Sequence, residues 1–201
     1  MSQDTYHHGN LQQALMQTGV ELLRSSGPAG LTAREATREQ GVSVAALYRH
    51  FDDVDQWRAE VARCAREELA RRMLTARDAA KPSRSAKTQA IRRFRAVGEG
   101  YIQFAVDEPN LFAGAFMKAN AAPRTLEDPS AWSVLEAALD ELLAAGVLSP
   151  KMRADAPLIA WTAVHGLASL IAQGAVPIGD AQDPQAQAIL DGVTRALEFS
   201  A

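Results

Sequence analysis

A single cysteine, Cys64, in 201 residues leaves no partner for an internal disulfide, so apolar burial must hold this chain together. Cys64 reads as a small apolar residue on a helix. Long hydrophobic runs are missing as well. The stretch 158–171 is interrupted by His165 and Ser169 and flanked by Pro157 and Pro177, too short and too polar to span a bilayer. Cationic excess is absent: 21 Lys and Arg face 24 Asp and Glu, a net charge of −3, which argues against a protein that coats nucleic acid non-specifically. The opening Met1-Ser2-Gln3-Asp4 is polar and acidic, unlike a secretory leader, so the expected location is the cytoplasm. There is no Gly-rich phosphate loop, no nucleophile placed beside a base and no His or Cys cluster at ligand spacing. The expectation is no enzyme, no cofactor and no metal site.

What is there is helical. Apolar residues recur at a spacing of three and four almost throughout and never alternate at strand spacing, which predicts an all-α fold of about nine helices. These lie near 11–25, 33–40, 44–50, 54 into the seventies, 88–106, a short one from 109, 130–145, 156–174 and 184–199. Lys81-Pro82-Ser83 marks a break. The expected division is 1–53, a connecting helix over 54–80, and a larger helical domain over 81–201. The acid-free basic run Lys81, Arg84, Lys87, Arg92, Arg93, Arg95 reads as a solvated linker and helix start.

The segment 31–51, LTAREATREQGVSVAALYRHF, carries the sharpest local signal. Thr32 followed by Glu35 predicts a capping box at the head of a helix. Gly41 suits the left-handed residue that closes it, and Ser43 is placed as the N-cap of the next helix. Ala36, Val42, Leu47 and Phe51 can share one apolar side. Arg34, Arg38, Ser43, Val44, Ala45, Tyr48, Arg49 and His50 are then left outside. Two short helices joined by a tight turn, the second opening on small uncharged side chains, are what a major groove admits. The competing reading is an ordinary helical hairpin.

With Tyr6-His7-His8-Gly9-Asn10-Leu11 ahead of it, this segment resembles the DNA-binding domain of the TetR (tetracycline-repressor-like) family of transcriptional regulators. The marks are the Leu-Thr-x-Arg-Glu start, the Gly-Val-Ser turn and the closing Leu-Tyr-x-His-Phe; the resemblance covers about residues 10–76. It implies an N-terminal helix-turn-helix domain linked by a fourth helix to a ligand-binding and dimerisation domain. Thr32 and Arg34 would stand near the DNA, with Arg34 reaching a base or phosphate. Ser43, Val44 and Ala45 would open the recognition helix. Val44 and Ala45 can touch only a thymine methyl or a sugar. Tyr48, Arg49 and His50 would meet phosphates. One departure stands out: the family commonly has a Lys at the head of helix 4, and here Asp55 occupies about that place.

The second half, through Tyr101 to Met117 and then Trp161-x-x-x-His165-Gly166, resembles a TetR subgroup with a late Trp…His-Gly signature, which implies an effector-binding domain. Tyr101, Phe104, Phe112, Phe116, Trp132 and Trp161 are large rings that either wall a cavity or fill a core, with His165 on the face of Trp161. The expected effector is small, mostly apolar and neutral. Leu167, Leu170, Ile171, Ile189, Val193 and Leu197 can form an apolar face for an isologous four-helix bundle, or close the monomer core alone. The expectation is a homodimeric repressor on a palindromic double-stranded DNA operator. The alternative is a helical small-molecule-binding protein whose DNA binding has decayed.

Overall fold

The computed structural model describes residues 4–123 and 129–198, with side chains from residue 11 onward. The side chains of Tyr6 to Asn10, and Phe199, therefore lie outside the described residues. Every regular element described is helical: α1 (Asp4–Gly30), α2 (Ala33–Glu39), α3 (Val44–Leu47), α4 (Val54–Asp78), α5 (Ala86–Asp107), α6 (Pro109–Ala115), α7 (Ala131–Ala144), a 3-10 turn (Met152–Ala154), α8 (Ala156–Ala172) and α9 (Pro184–Glu198).

The chain divides into two compact units, residues 1–66 with 110–127, and residues 67–109 with 128–201. The break falls inside α4, and α6 belongs to the first unit. The first unit buries Leu15, Leu23, Leu31, Leu47, Phe51 and Trp57. Its helices are tied by side chains bonding main-chain or hydroxyl oxygens. Trp57 Nε1 donates to the Leu15 carbonyl at 3.2 Å, Gln40 Nε2 to Thr18 Oγ1 at 2.7 Å, and Arg58 Nε to the Leu31 carbonyl at 3.0 Å.

The α6 segment belongs here for a steric reason. A Cβ on Gly114 would lie 2.3 Å from Leu23 Cδ2, so only glycine lets α6 approach α1 this closely. Asn110 Nδ2 donates to the Arg24 carbonyl, and Arg66 Nη1 to the Ala115 carbonyl, both at 3.0 Å.

In the second unit α5 is central and packs against α7, α8 and α9. Ser130 and Ser133 close a reciprocal capping box at the head of α7. On α9, Ala186, Leu190, Val193, Thr194 and Leu197 form one buried stripe at helical spacing. Here the expected dimer face splits. Ile171, Val193 and Leu197 are buried within their own unit, Leu167 is half-buried, and only Leu170 and Ile189 are exposed. The stripe through Leu190 requires its i+3 and i+7 neighbours on the inner side, so Val193 and Leu197 follow it inward.

Candidate nucleic-acid interface and internal crevice

The α2–α3 turn is built almost wholly by local bonding. Thr32 caps α2, its Oγ1 accepting from the Glu35 N–H at 3.2 Å. The expected capping box is only half made, because the Glu35 carboxylate turns instead to Arg38, whose Nε donates at 3.0 Å. Gly41 takes φ +66°, a conformation strained for any residue with a Cβ, and so allows the tight turn. Ser43 holds the N-cap position of α3, but its hydroxyl makes no capping bond and stays exposed.

The second helix of the pair, α3, is shorter than its expected 44–50. It ends at Leu47, and 48–50 continue as turns in which the N–H groups of His50 and Phe51 donate to the Leu47 carbonyl. Ala46, Leu47 and Phe51 are buried, while Arg34, Ser43, Val44, Ala45, Tyr48 and Arg49 are exposed. Thr32 and His50 are half-buried.

Asp55 is occupied from within its own unit. Its Oδ2 accepts from Asn120 Nδ2 at 2.8 Å and its Oδ1 from Arg58 at 3.5 Å. The carboxylate capping α4 is that of Asp53, which accepts from the Gln56 N–H at 2.7 Å.

The second unit contains a narrow apolar crevice. Phe94, Val97 and Tyr101 of α5 face Trp161, Val164 and His165 of α8, with Leu190 and Val193 of α9 at one side. About 410 Å³ around it is free of atoms, but the centre of a water-sized sphere can move in only about 30 Å³. That is room for about two waters. The crevice is a slot between packed rings, with one polar pair set into it: Tyr101 Oη lies 2.8 Å from His165 Nδ1. Burial pushes the Tyr101 phenol well above its usual range, so it keeps its proton and donates. Burial also lowers the His165 pKa, favouring the neutral ring with Nδ1 as acceptor. Its Nε2 is then the N–H, 3.4 Å from Ser169 Oγ. The His165 and Trp161 rings stack with centroids 5.9 Å apart, and Tyr101 meets Trp161 edge-on at 5.4 Å.

Of the seven expected effector residues, Tyr101, Trp161 and His165 line this crevice. Trp132 packs against Trp161 at 5.5 Å with 42% of its surface still exposed. Phe104 is wholly buried and faces a different groove. Phe112 and Phe116 pair at 5.2 Å in the first unit. Phe94, Leu190 and Val193 were not expected at the site. The helical stripe of α9 was a signal that its 190 and 193 positions turn inward.

The His165 shift carries a pH consequence. A histidine whose folded pKa is depressed binds fewer protons when folded than when unfolded, so its contribution is intact above about 6.5 and is lost as pH falls below that value. The unfolding temperature of the wild type should therefore fall more between pH 7.5 and 5.5 than that of His165→Gln. Equal falls would show that His165 titrates as it does in the unfolded chain.

Among the described residues no helix is long and apolar enough to cross a membrane, and no three His, Cys, Asp or Glu side chains gather as a metal site.

Residues 94–196 match the family described as "Tetracyclin repressor-like, C-terminal domain". No curated protein matches the chain. Among solved structures, a protein of unknown function from Rhodococcus sp. RHA1 is 26% identical, with a TM-score of 0.71, covering 98% of this chain and 100% of its own. A tetR-family transcriptional regulator from Vibrio parahaemolyticus shares the fold at 19% identity and a TM-score of 0.58, over 93% of this chain and 98% of its own. The transcriptional regulator FadR from Bacillus subtilis, solved with stearoyl-CoA, shares it at 12% identity and a TM-score of 0.53, over 94% and 98%.

Proposed function

Since this chain belongs to the tetracycline repressor-like family of transcriptional regulators, we propose that it is a cytoplasmic, ligand-responsive repressor that binds a palindromic operator as a homodimer. The observation that supports this reading best is the outer side of the α2–α3 turn. Its side chains are small at the head of α3 and mostly cationic or hydroxyl-bearing around it, with Arg34, Arg38, Tyr48 and Arg49 exposed and Glu39, at the end of α2, exposed as an acid among them. Arg34, Tyr48 and Arg49 supply donors for phosphates or base edges, while Val44 and Ala45 admit close approach to a sugar or thymine methyl. Thr32 and His50, being half-buried, serve more to fix the turn than to reach far from it.

In this proposal the effector enters the crevice around Tyr101, Trp161 and His165. A slot of this width suits a planar or chain-like compound, mostly apolar and neutral, which must spread the rings to enter. The Tyr101–His165 pair offers it one polar contact. Bacillus subtilis FadR holds stearoyl-CoA, so an acyl chain is one member of the class to try. Crevice residues come from α4, α5, α7, α8 and α9, and the division between the units falls inside α4 and at the α5–α6 junction. An effector that prefers one setting of α4 and α6 would change the spacing of the two recognition helices. A coupling of about 1–3 kcal/mol would alter operator affinity roughly 5- to 150-fold.

The test is selection of binding sites from random duplex, followed by affinity measurement over a salt series. Enrichment of a two-fold-symmetric site supports the reading; recovery of random sequence only would favour a small-molecule-binding protein with decayed DNA binding. Asp55 and the net charge of −3 favour that second reading. Asp55→Lys bears on it. If position 55 faces a phosphate, the change should tighten operator and scrambled duplex by a similar factor, since a phosphate contact carries no sequence information. No change on either duplex would confine Asp55 to its bonds with Asn120 and Arg58.

A further inference from the structure

We propose that the second unit holds a separate binding groove for a small zwitterion of the amino-acid type, its carboxylate on Arg72 and its ammonium on Glu99. The groove lies between α4, α5 and the segment before α9, and Tyr101, Trp161 and His165 take no part in it. It offers about 300 Å³ to the centre of a water-sized sphere, ten times the apolar crevice. That is the scale of an ordinary ligand cleft, about 300–1,000 Å³.

The walls are fixed by the fold. At Gly100 a Cβ would stand 2.9 Å from the Ala76 Cβ and 3.0 Å from the Arg72 carbonyl, so glycine lets α5 press onto α4 at the base. The third wall is backbone held from both sides. The Ala181 N–H donates to Gln103 Oε1 at 2.9 Å, and the Ala181 carbonyl accepts from Gln187 Nε2 at 2.7 Å. Gln103 has spent its amide as well, on Asp107 at 2.7 Å. It therefore acts as a wall and does not search for a ligand.

The two charged groups of the lining are different. Arg72 has two bonds, both long: Nε to Glu68 at 3.3 Å and Nη1 to Asp107 at 3.4 Å. Most of the five donors in its planar fork remain available, and that fork matches a carboxylate. Glu99 is half-buried and accepts from Gln187 Nε2 at 3.1 Å, with no cation beside it among the described residues. Arg95, one helical turn away, is committed to Asp191 and to Gln187. The groove thus presents a cation held by two long ion pairs, to Glu68 and Asp107, with donors of its fork left over, and an anion with no cation beside it, over a floor of Ala76, Gly100 and Phe104. A molecule with one carboxylate, one ammonium and a few methylenes satisfies all three features. Singly charged molecules leave one end unmet.

The experiment is calorimetric titration of the full chain at low salt with glycine, 4-aminobutyrate and 6-aminohexanoate, against n-butylamine and butyrate. One zwitterion should bind with a dissociation constant on the order of a millimolar, since ion pairs open to solvent are weak. The singly charged analogues should bind at least tenfold more weakly. Arg72→Gln and Glu99→Gln should each weaken the zwitterion at least tenfold. Ala79→Trp, an exposed change at the groove rim, should block it with circular dichroism unchanged. His165→Gln should leave it intact. If no zwitterion binds at roughly ten times the expected concentration, the proposal fails. It also fails if butylamine or butyrate binds as well, if Glu99→Gln or Ala79→Trp has no effect, or if His165→Gln abolishes binding. Should Arg72→Gln disturb the fold through Asp107, Glu99→Gln and Ala79→Trp decide alone. No arm involves DNA, so the outcome stands apart from the regulator reading.

Discussion

Replacing Arg34 and Tyr48 together by Ala is expected to lower affinity for a selected operator by about 100-fold or more, with the unfolding temperature unchanged. Both side chains are exposed on the outer side of the turn, and removing an exposed side chain disturbs little packing. A hydrogen bond to a charged group contributes about 1.5–3 kcal/mol, so two lost contacts correspond to at least about 3 kcal/mol, and a dimer loses each of them twice. The salt dependence should shrink with the affinity, its logarithmic slope falling by roughly one for each phosphate contact removed. Fluorescence anisotropy from low to physiological salt, on operator and scrambled duplex, separates the roles. A uniform loss marks a phosphate contact, and a loss confined to the operator marks a base contact. A double variant that binds as tightly as wild type at every salt concentration would place the DNA somewhere other than on α3.

The second large effect concerns assembly. Leu170→Glu with Ile189→Glu should turn a dimer into a folded monomer. Leu170 is 45% exposed and Ile189 39% exposed within their own unit, so a carboxylate at either position can remain in water in the monomer. In an isologous dimer each carboxylate would instead be buried against a like-charged copy, at several kcal/mol for each ion taken from water unpaired. Sedimentation velocity reads the mass, and circular dichroism checks that helix content is kept. Operator affinity should collapse with the dimer, because one helix-turn-helix reads a single half-site. A double variant that remains dimeric would move the interface off α8 and α9. Val193→Glu is a poor probe of the same idea, since Val193 is buried beside Leu190 and its replacement would unfold the unit.

These expectations rest on unequal parts of the sequence. The 31–51 segment was legible almost residue by residue because its physics is short-range. Thr32 bonds a main-chain N–H three residues on, Gly41 allows a local φ, and the apolar positions repeat within two turns of helix. Its errors were local competitions. Glu35 had both the Thr32 backbone and Arg38 within reach and took the arginine. The end of α3 was misplaced by three residues because the turns that follow it continue the same apolar pattern.

The aromatic residues of the second half were less legible. Six rings at helical spacing look alike in sequence, whether they meet or not. Tyr101 and Trp161 meet because α5 packs on α8. Phe112 sits one short helix away from Tyr101 in sequence, yet it belongs to the other unit. Gly114 lets α6 approach Leu23, and Asn110 bonds the Arg24 carbonyl, 86 residues back. The surroundings of Asp55 were hidden for the same reason, since Asn120 is 65 residues away.

Periodicity, capping and motif, each acting within one or two elements, made the helical class, the two short helices joined at Gly41 and the family resemblance readable from the chain alone. Only the tertiary structure decided which apolar faces are spent inside the chain. That sorting left Leu170 and Ile189 outside while Val193 and Leu197 went in. It brought Tyr101, Trp161 and His165 together around one narrow slot. It also opened the polar groove beside Phe104. Helical spacing says which residues share a face, but burial depends on what packs against that face, and contacts between distant segments settle that.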